Sequence, residues 1–188
     1  MLFRSITVAF GIANILIQNG CVRKVITTMP RMKFGRSNMT NVPLAKNLLK
    51  DQNIEVELVN QVTIVERLRA SASGIGAFYT PVGVGTELAE GKETKLINGV
   101  PHVLEYAIRP DFAICRVNTA DLLGNVKYEQ MFKNVNHEFI SAGKVSIVQA
   151  DQITEPGTFD PDTTGCFVNR LLKTKNKHTV FKIGRAHV

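Results

Sequence analysis

Apolar positions change period several times along the chain, and each change predicts an element. Ile6 to Ile17 is an almost unbroken apolar run. It is too short to span a bilayer and ends at Asn19-Gly20, a turn or helix-stop signal, so it predicts a buried helix or strand. Cys21 to Thr28, CVRKVITT, predicts a strand with Val22, Val25 and Ile26 apolar. Met29 to Asn41 predicts a loop, and Leu44 to Leu49 a short helical patch. Ile54-Glu55-Val56-Glu57-Leu58 alternates strictly, which predicts a half-buried strand with Glu55 and Glu57 on its solvated face.

The segment Gln61 to Thr86 is the densest part of the chain. Thr63 followed by Glu66 predicts a capping box. Ile64, Val65 and Leu68 give the helix one apolar side, with Arg67 and Arg69 facing away. Ser71-Ala72-Ser73-Gly74 ends it, and Ala77 to Thr80 predicts a short extended segment. Pro81, Gly83 and Gly85 then predict a tight loop with exposed N–H groups, able to cradle an anion.

Beyond the loop, Glu93–Ile97 and Val100–Tyr106 flank Asn98-Gly99, the strongest short hairpin signal. Phe112 to Val117 predicts a buried strand, Asn118 to Asp121 a polar loop, and Gly124-Asn125 a hairpin-like return through VKYEQ. Asn134 to Gly143 predicts a loop and helix, Val145 to Val148 a strand, Glu155 to Asp162 a punctuated loop, and Cys166 to Leu172 a last strand. Strands alternating with helices, with hairpins inserted, predict a single-domain α/β fold with its sheet covered by helices.

Composition removes several alternatives. The formal charge is +7, from 23 basic and 16 acidic residues. The basic residues are dispersed, apart from Lys173, Lys175 and Lys177, and not interleaved with aromatics, which speaks against nucleic-acid binding. The cysteines Cys21, Cys115 and Cys166 are far apart with no CxxC, so neither a disulfide framework nor a zinc site is expected. Cys115, in an apolar run, reads as a buried small hydrophobe. His102, His137 and His178 share no ligand spacing, and no metal is expected. No membrane association is expected either. Lys182 to Val188 reads as a translated sequencing adapter and Leu2 to Ser5 as its complement. Residues 1–5 and 182–188 are therefore expected to be foreign to a domain running over 6–181.

The glycine loop is neither a P-loop nor a dinucleotide fingerprint. From Gly85 to Gly91-Lys92 the spacing is one residue too long for a P-loop, and Glu93 stands where Ser or Thr should hold a metal. No third glycine follows Gly83 and Gly85 at the offset a dinucleotide site requires. On spacing alone, a plain tight connection is the default for such a loop.

An ordered set of motifs is more specific. Cys21-Val22-Arg23-Lys24-Val25-Ile26, Ile54 to Leu58 and Ala77-Phe78-Tyr79-Thr80-Pro81-Val82-Gly83-Val84-Gly85-Thr86 come first. Glu90-Gly91-Lys92, Asp111-Phe112-Ala113, Ala120-Asp121 with Gly124-Asn125, and Glu155-Pro156-Gly157 follow. In this order they resemble the alpha (A) subunit of family I CoA-transferases, the 3-oxoacid and acetate CoA-transferases, over about Gly20 to Leu172. The resemblance implies an α/β domain with a mixed, largely parallel sheet flanked by helices, which shares each active site with a beta (B) subunit. A glutamate of the beta subunit attacks the acyl-CoA, and CoA is carried as an enzyme thioester to a second carboxylic acid. CoA is thus a substrate, with no permanently bound cofactor, in cytoplasmic ketone-body and short-chain fatty-acid metabolism. The net positive charge suits such an anionic ligand.

The Ser-Glu-Asn-Gly signature of the beta subunit is absent from this sequence, so no glutamate here is read as the nucleophile. Where the family has Pro-Gln-Gly-Thr, this chain has Asn60-Gln61-Val62-Thr63, which makes Gln61 the supporting catalytic candidate. Tyr79, Thr80, Gly83 and Gly85 are the candidates for substrate or CoA binding. The departures are Val62 for glycine, expected to narrow the corner, a less glycine-rich Ser71–Gly76, and a longer Met29–Leu49. The family's first strand–helix unit has no convincing match and is expected to be missing by N-terminal truncation. Two other readings compete: a non-catalytic domain binding CoA or a phosphate ligand, and a lipoprotein modified at Cys21.

Overall fold

The computed structural model describes residues 6–7, 16–17, 19–28, 54–129 and 133–174. The loop and helical patch expected between Met29 and Leu49, His178, Lys175, Lys177 and both adapter-like ends lie outside them. The chain divides into two compact units, Met1–Arg67 with Gly76–Ala107, and Leu68–Ile75 with Ile108–Val188.

The first unit holds a parallel sheet in the order β1 (Ile6–Thr7), β2 (Lys24–Thr27), β3 (Glu55–Leu58). Ile6 is level with Val25, and Val25 with Val56. Helical residues Leu16–Ile17 lie between β1 and β2 in the chain. They stop at Gly20, whose left-handed φ of +65° lets its N–H reach Ile17 O at 3.0 Å and that of Cys21 reach Leu16 O at 2.9 Å. The described pieces of this apolar run are thus a strand and a helical turn. The run is so evenly apolar that its period cannot separate strand from helix.

In β3 the apolar alternation does not mean burial. Val56 and Leu58 are 37% and 46% exposed, while the flanking Ile54 and Val59 are buried. Glu57 is not on a solvated face: Lys24 Nζ lies 2.9 Å from its Oε2 and Arg67 Nη1 2.6 Å from its Oε1.

Helix α1 (Gln61–Ala72) follows after two residues. Its cap is Asn60, whose Oδ1 accepts the Val62 N–H at 2.9 Å. Thr63, expected to cap, is a buried residue of the first turn. Ile64 and Leu68 are buried as expected, and so is Arg67, which was expected to face away. The helix ends where Gly74 takes φ +75°. Gly74 N–H then bonds Ser71 O, and Ile75 N–H bonds Ala70 O at 2.8 Å, a Schellman stop.

The unit is completed by an antiparallel sheet, β4 (Ala77–Thr80), β6 (Val100–Tyr106) and β5 (Thr94–Ile97), in that spatial order. Ile97 pairs with Val100 across Asn98-Gly99, whose φ values of 51° and 78° are those of a type I′ turn.

The second unit is built on β10 (Arg170–Lys173), β9 (Val145–Thr154), β7 (Phe112–Asp121) and β8 (Val126–Lys127). The first three are parallel and β8 returns antiparallel. Both central strands outrun expectation: β7 continues through Asn118–Asp121, where a polar loop was expected, and β9 to Thr154. Polar side chains there do not stop a strand, because the neighbouring strand satisfies the backbone. The start of β7 is buried on one side only, since Phe112 and Ile114 are half exposed. The last strand is shorter than expected, a 3-10 turn at Gly165–Phe167 replacing its start.

Cys115, Val117, Ala120, Val126, Val148 and Ala150 from the sheet pack with Ile140 of helix α2 (Asn136–Ala142) in one core. Gly143 is needed there, because a Cβ on it would lie 2.7 Å from Ala113 Cβ. The Asp121–Asn125 motif is a structural turn. Buried Asp121 accepts from the N–H groups of Leu123 and Asn125 and from Asn125 Nδ2, at 2.8 to 3.0 Å.

Candidate active site

In open α/β sheets ligands gather beyond the carboxyl ends of parallel strands. An open cavity of about 340 Å³ lies there in the first unit, lined by Thr28, Leu58, Val59, Asn60, Gln61 and Leu88. Thr28 follows β2 and Leu58 ends β3. Val59 continues the ladder, its N–H donating to Thr27 O at 3.0 Å. The chain then turns at Asn60 and enters the helix at Gln61, its exposed first residue. Val62 is 58% exposed and does not line the cavity. It sits in a helical turn without a positive φ. Replacing the family's glycine therefore neither strains the backbone nor narrows the cleft.

The other candidates serve the loop that follows β4. Thr80 Oγ1 accepts the Val82 N–H at 3.2 Å. Gly83 and Gly85 take φ +88° and +76°, and Gly83 O accepts both the Thr86 N–H and the Thr86 hydroxyl. Thr86 in turn caps the 3-10 turn Glu87–Ala89 through the Leu88 N–H. The loop thus delivers Leu88, rather than Gly83 or Gly85, to the wall of the cavity. Tyr79 lies elsewhere: its hydroxyl donates to the Glu93 carboxylate, and Lys95 Nζ stands 5.7 Å from its ring centre. That bond to Glu93 raises the Tyr79 hydroxyl above its ordinary range. Tyr79, Thr80, Gly83 and Gly85 are therefore absent from the cavity's lining, while Gln61 is in it.

Sequence reasoning missed Thr28, Leu58, Val59, Asn60 and Leu88 as wall residues. Thr28 and Asn60 carried a signal, Thr28 as the polar residue that closes one predicted strand and Asn60 as the first polar residue after another. Leu88 carried none.

Beneath the corner lies a cluster of charges. Lys24 bridges Glu55 and Glu57 at 2.7 and 2.9 Å. Arg67 pairs with Glu57 and donates through Nε to Tyr106 O at 2.7 Å. Glu105, buried on β6, lies 3.9 Å from Arg67 Nε and 2.5 Å from Lys92 Nζ. Burial pushes Glu57 up, but the hydrogen bonds from Arg67 and Lys24 outweigh it and hold the carboxyl below its ordinary range. The same bonds to Glu55 and Glu57 raise Lys24. Among the described residues no group of His, Cys, Asp and Glu is placed to hold a metal ion, and no helix is long and apolar enough to cross a membrane.

Comparison with known proteins decides the family. The family model for Coenzyme A transferase matches residues 5–170. The chain belongs to the Coenzyme A transferase family. It is 39% identical over 165 residues to the alpha (A) subunit of 3-oxoadipate CoA-transferase from Pseudomonas putida, covering 86% of this chain and 68% of that one. It is 40% identical over 157 residues to the alpha (A) subunit of a probable succinyl-CoA:3-ketoacid coenzyme A transferase from Mycobacterium tuberculosis, covering 72% and 63%. The alpha subunit of acetate CoA-transferase from Escherichia coli K12 is 34% identical over 160 residues, covering 84% and 69%. The chain thus spans about two thirds or less of the length of several of these relatives, down to 50% for one from Xanthomonas campestris.

Solved structures agree on the fold. Glutaconate coenzyme A-transferase from Acidaminococcus fermentans superposes with a TM-score of 0.65 at 20% identity, over 86% of this chain and 58% of that one. The AibA/AibB decarboxylase superposes with a TM-score of 0.75 at 19% identity, over 90% and 65%. A transferase and a decarboxylase on one fold show that the fold alone does not set the chemistry.

Proposed function

We propose that this chain is the alpha (A) part of a heteromeric, cytoplasmic CoA-transferase, its domain running over 6–181. The enzyme moves CoA between a short-chain acyl-CoA or 3-oxoacyl-CoA and a free carboxylic acid, and its partner is the beta (B) subunit. CoA is a substrate, not a resident cofactor. The observation that carries this reading is Gln61, which lines a cavity at the strand ends in a chain of this family that contains no Ser-Glu-Asn-Gly. The nucleophilic glutamate belongs to the beta subunit. Gln61 contributes an amide that donates to the substrate carboxylate or to the oxyanion formed when the glutamate attacks the thioester carbonyl. Val62 lies off the cavity wall, so the departure that would favour a non-catalytic domain carries no weight.

The test is CoA transfer from an acyl-CoA to acetate or acetoacetate. It is run on this chain alone and co-expressed with a catalytic beta subunit. Transfer is expected only from the mixture, with kcat lowered about a hundredfold by Gln61→Ala, the scale of losing one oxyanion donor. Transfer by this chain alone would overturn the assignment of the nucleophile. A stable complex that transfers no CoA would overturn the catalytic reading.

A further inference from the structure

The charge cluster beneath the cavity is more than the fold needs. A buried ion pair gives little net stability over apolar side chains of the same volume, but it imposes direction. Arg67 is buried, yet its fork spends one arm on the Glu57 carboxylate and another on the Tyr106 carbonyl. Glu57 is on β3, four positions before Gln61, and Arg67 is on α1, six positions after it. Their 2.6 Å contact therefore closes a ring around the strand-to-helix corner that carries Asn60 and Gln61. Lys24 holds the other oxygen of Glu57 from β2, the strand that leads to Thr28. Both strands that feed the cavity are thus tied at one carboxylate, and the helix is tied to it from the far side.

Resting on the functional reading above, we propose that Arg67 is a positioning residue: through Glu57 it sets the angle between β3 and α1, and so the place of the Gln61 amide in the cleft. Arg67 touches no substrate and acts only through Gln61. Displacements of about 1 Å in a positioned group cost on the order of a hundredfold in rate. Loosening the clamp should therefore lower kcat while leaving KM nearly unchanged, because the cavity wall itself stays.

The test is a double-mutant cycle on the complex with the beta subunit, using Arg67→Met and Gln61→Ala. Arg67→Met keeps the apolar stem and leaves Glu57 paired with Lys24 and Glu105 with Lys92, so both carboxylates keep a cation. The expected result is a fall in kcat of about tenfold to a hundredfold in the parent, and of less than about twofold in the Gln61→Ala background. A merely structural role would give equal losses in both backgrounds, or a parallel loss of assembled complex. If Arg67→Met does not assemble, Arg67→Lys and Glu57→Gln replace it, each removing part of the fork's geometry. Either should again lose its effect once Gln61 is gone. Equal losses in both backgrounds, or an unchanged kcat in all three variants, would overturn the inference while transfer by the parent complex keeps the functional reading. A parent complex that transfers no CoA would overturn both.

Discussion

The turn at Asp121 lets a stability prediction be worked atom by atom. Asp121 is 2% exposed. Its Oδ1 accepts the N–H groups of Leu123 and Asn125 at 3.0 and 2.9 Å, and its Oδ2 accepts Asn125 Nδ2 at 2.8 Å. Asn125 uses its own Oδ1 to accept the Gly165 N–H at 2.9 Å. That last contact fixes the approach of two backbones so close that a Cβ on Gly165 would lie 2.1 Å from Leu123 O. Asp121→Ala leaves all three donors without their acceptor, at about 3–5 kcal/mol for overlapping bonds to a charged group. Asp121→Asn keeps an oxygen for the two N–H groups but sets two NH2 groups face to face. Turning the Asn125 amide only transfers the conflict to the Gly165 N–H. One buried donor stays unpaired either way, at about 2 kcal/mol. Asn125→Asp alone opposes two carboxylates across the 2.8 Å contact and should cost at least as much. Making both changes together swaps amide and carboxylate. The amide at 121 donates to the carboxylate at 125, whose second oxygen accepts from Gly165. The pair should then return to within about 1 kcal/mol of the parent, a coupling of about 3 kcal/mol. Urea unfolding of the four chains, followed by far-UV circular dichroism at constant slope, measures it. If the double variant loses the sum of the single losses, the carboxylate and amide are not partners and the account of this turn is wrong.

Two further outcomes follow from titratable groups. Glu57 has a folded pKa below its ordinary 4.5, so the stability it contributes is present above that value and is lost as the pH falls through the lower, folded one. Glu57→Gln should accordingly destabilise near neutrality and flatten the decline of stability below about pH 4.5, and acid titrations of parallel slope would contradict the pairing. Burial pushes the Cys115 thiol up to about 12, whereas Cys166 is exposed. Iodoacetamide at mildly alkaline pH should therefore label Cys166 and spare Cys115 until urea opens the fold, and equal labelling read by mass spectrometry would refute the burial.

What could be read from the sequence was what local chemistry decides. Asn98-Gly99 and Gly74 carry left-handed backbone that few other residues adopt, and both stand where they were expected. The helix cap was misplaced: the capping-box pattern pointed to Thr63, whereas Asn60, a residue type that also caps, holds the first turn. The strand ends at Asn118–Asp121 were misplaced because pairing with β9 and β8, not side-chain polarity, sets where a strand stops. Arg67 was misread for a related reason. Helical periodicity marks an arginine as solvent-facing, and nothing within one turn of it announces Glu57 on the preceding strand or the carbonyl of Tyr106. Gln61 became a candidate only because its neighbours match a family. A glutamine at a strand end is by itself an ordinary solvated residue.

The corner at Asn60-Gln61 joins these two kinds of residue, and the joining explains why Val62 is tolerated. A glycine is required where φ is positive or where another backbone comes close, and neither holds at this helical, half-exposed position. What the corner does require is an angle. The angle is set from below by Glu57 and Arg67, and from within by the Asn60 side chain on the Val62 N–H. These three side chains hold the backbone on either side of Gln61, whose own side chain is exposed. An amide held in this way keeps its hydrogen-bonding capacity for a ligand, whereas a freely moving one would spend part of it on water and on ordering itself.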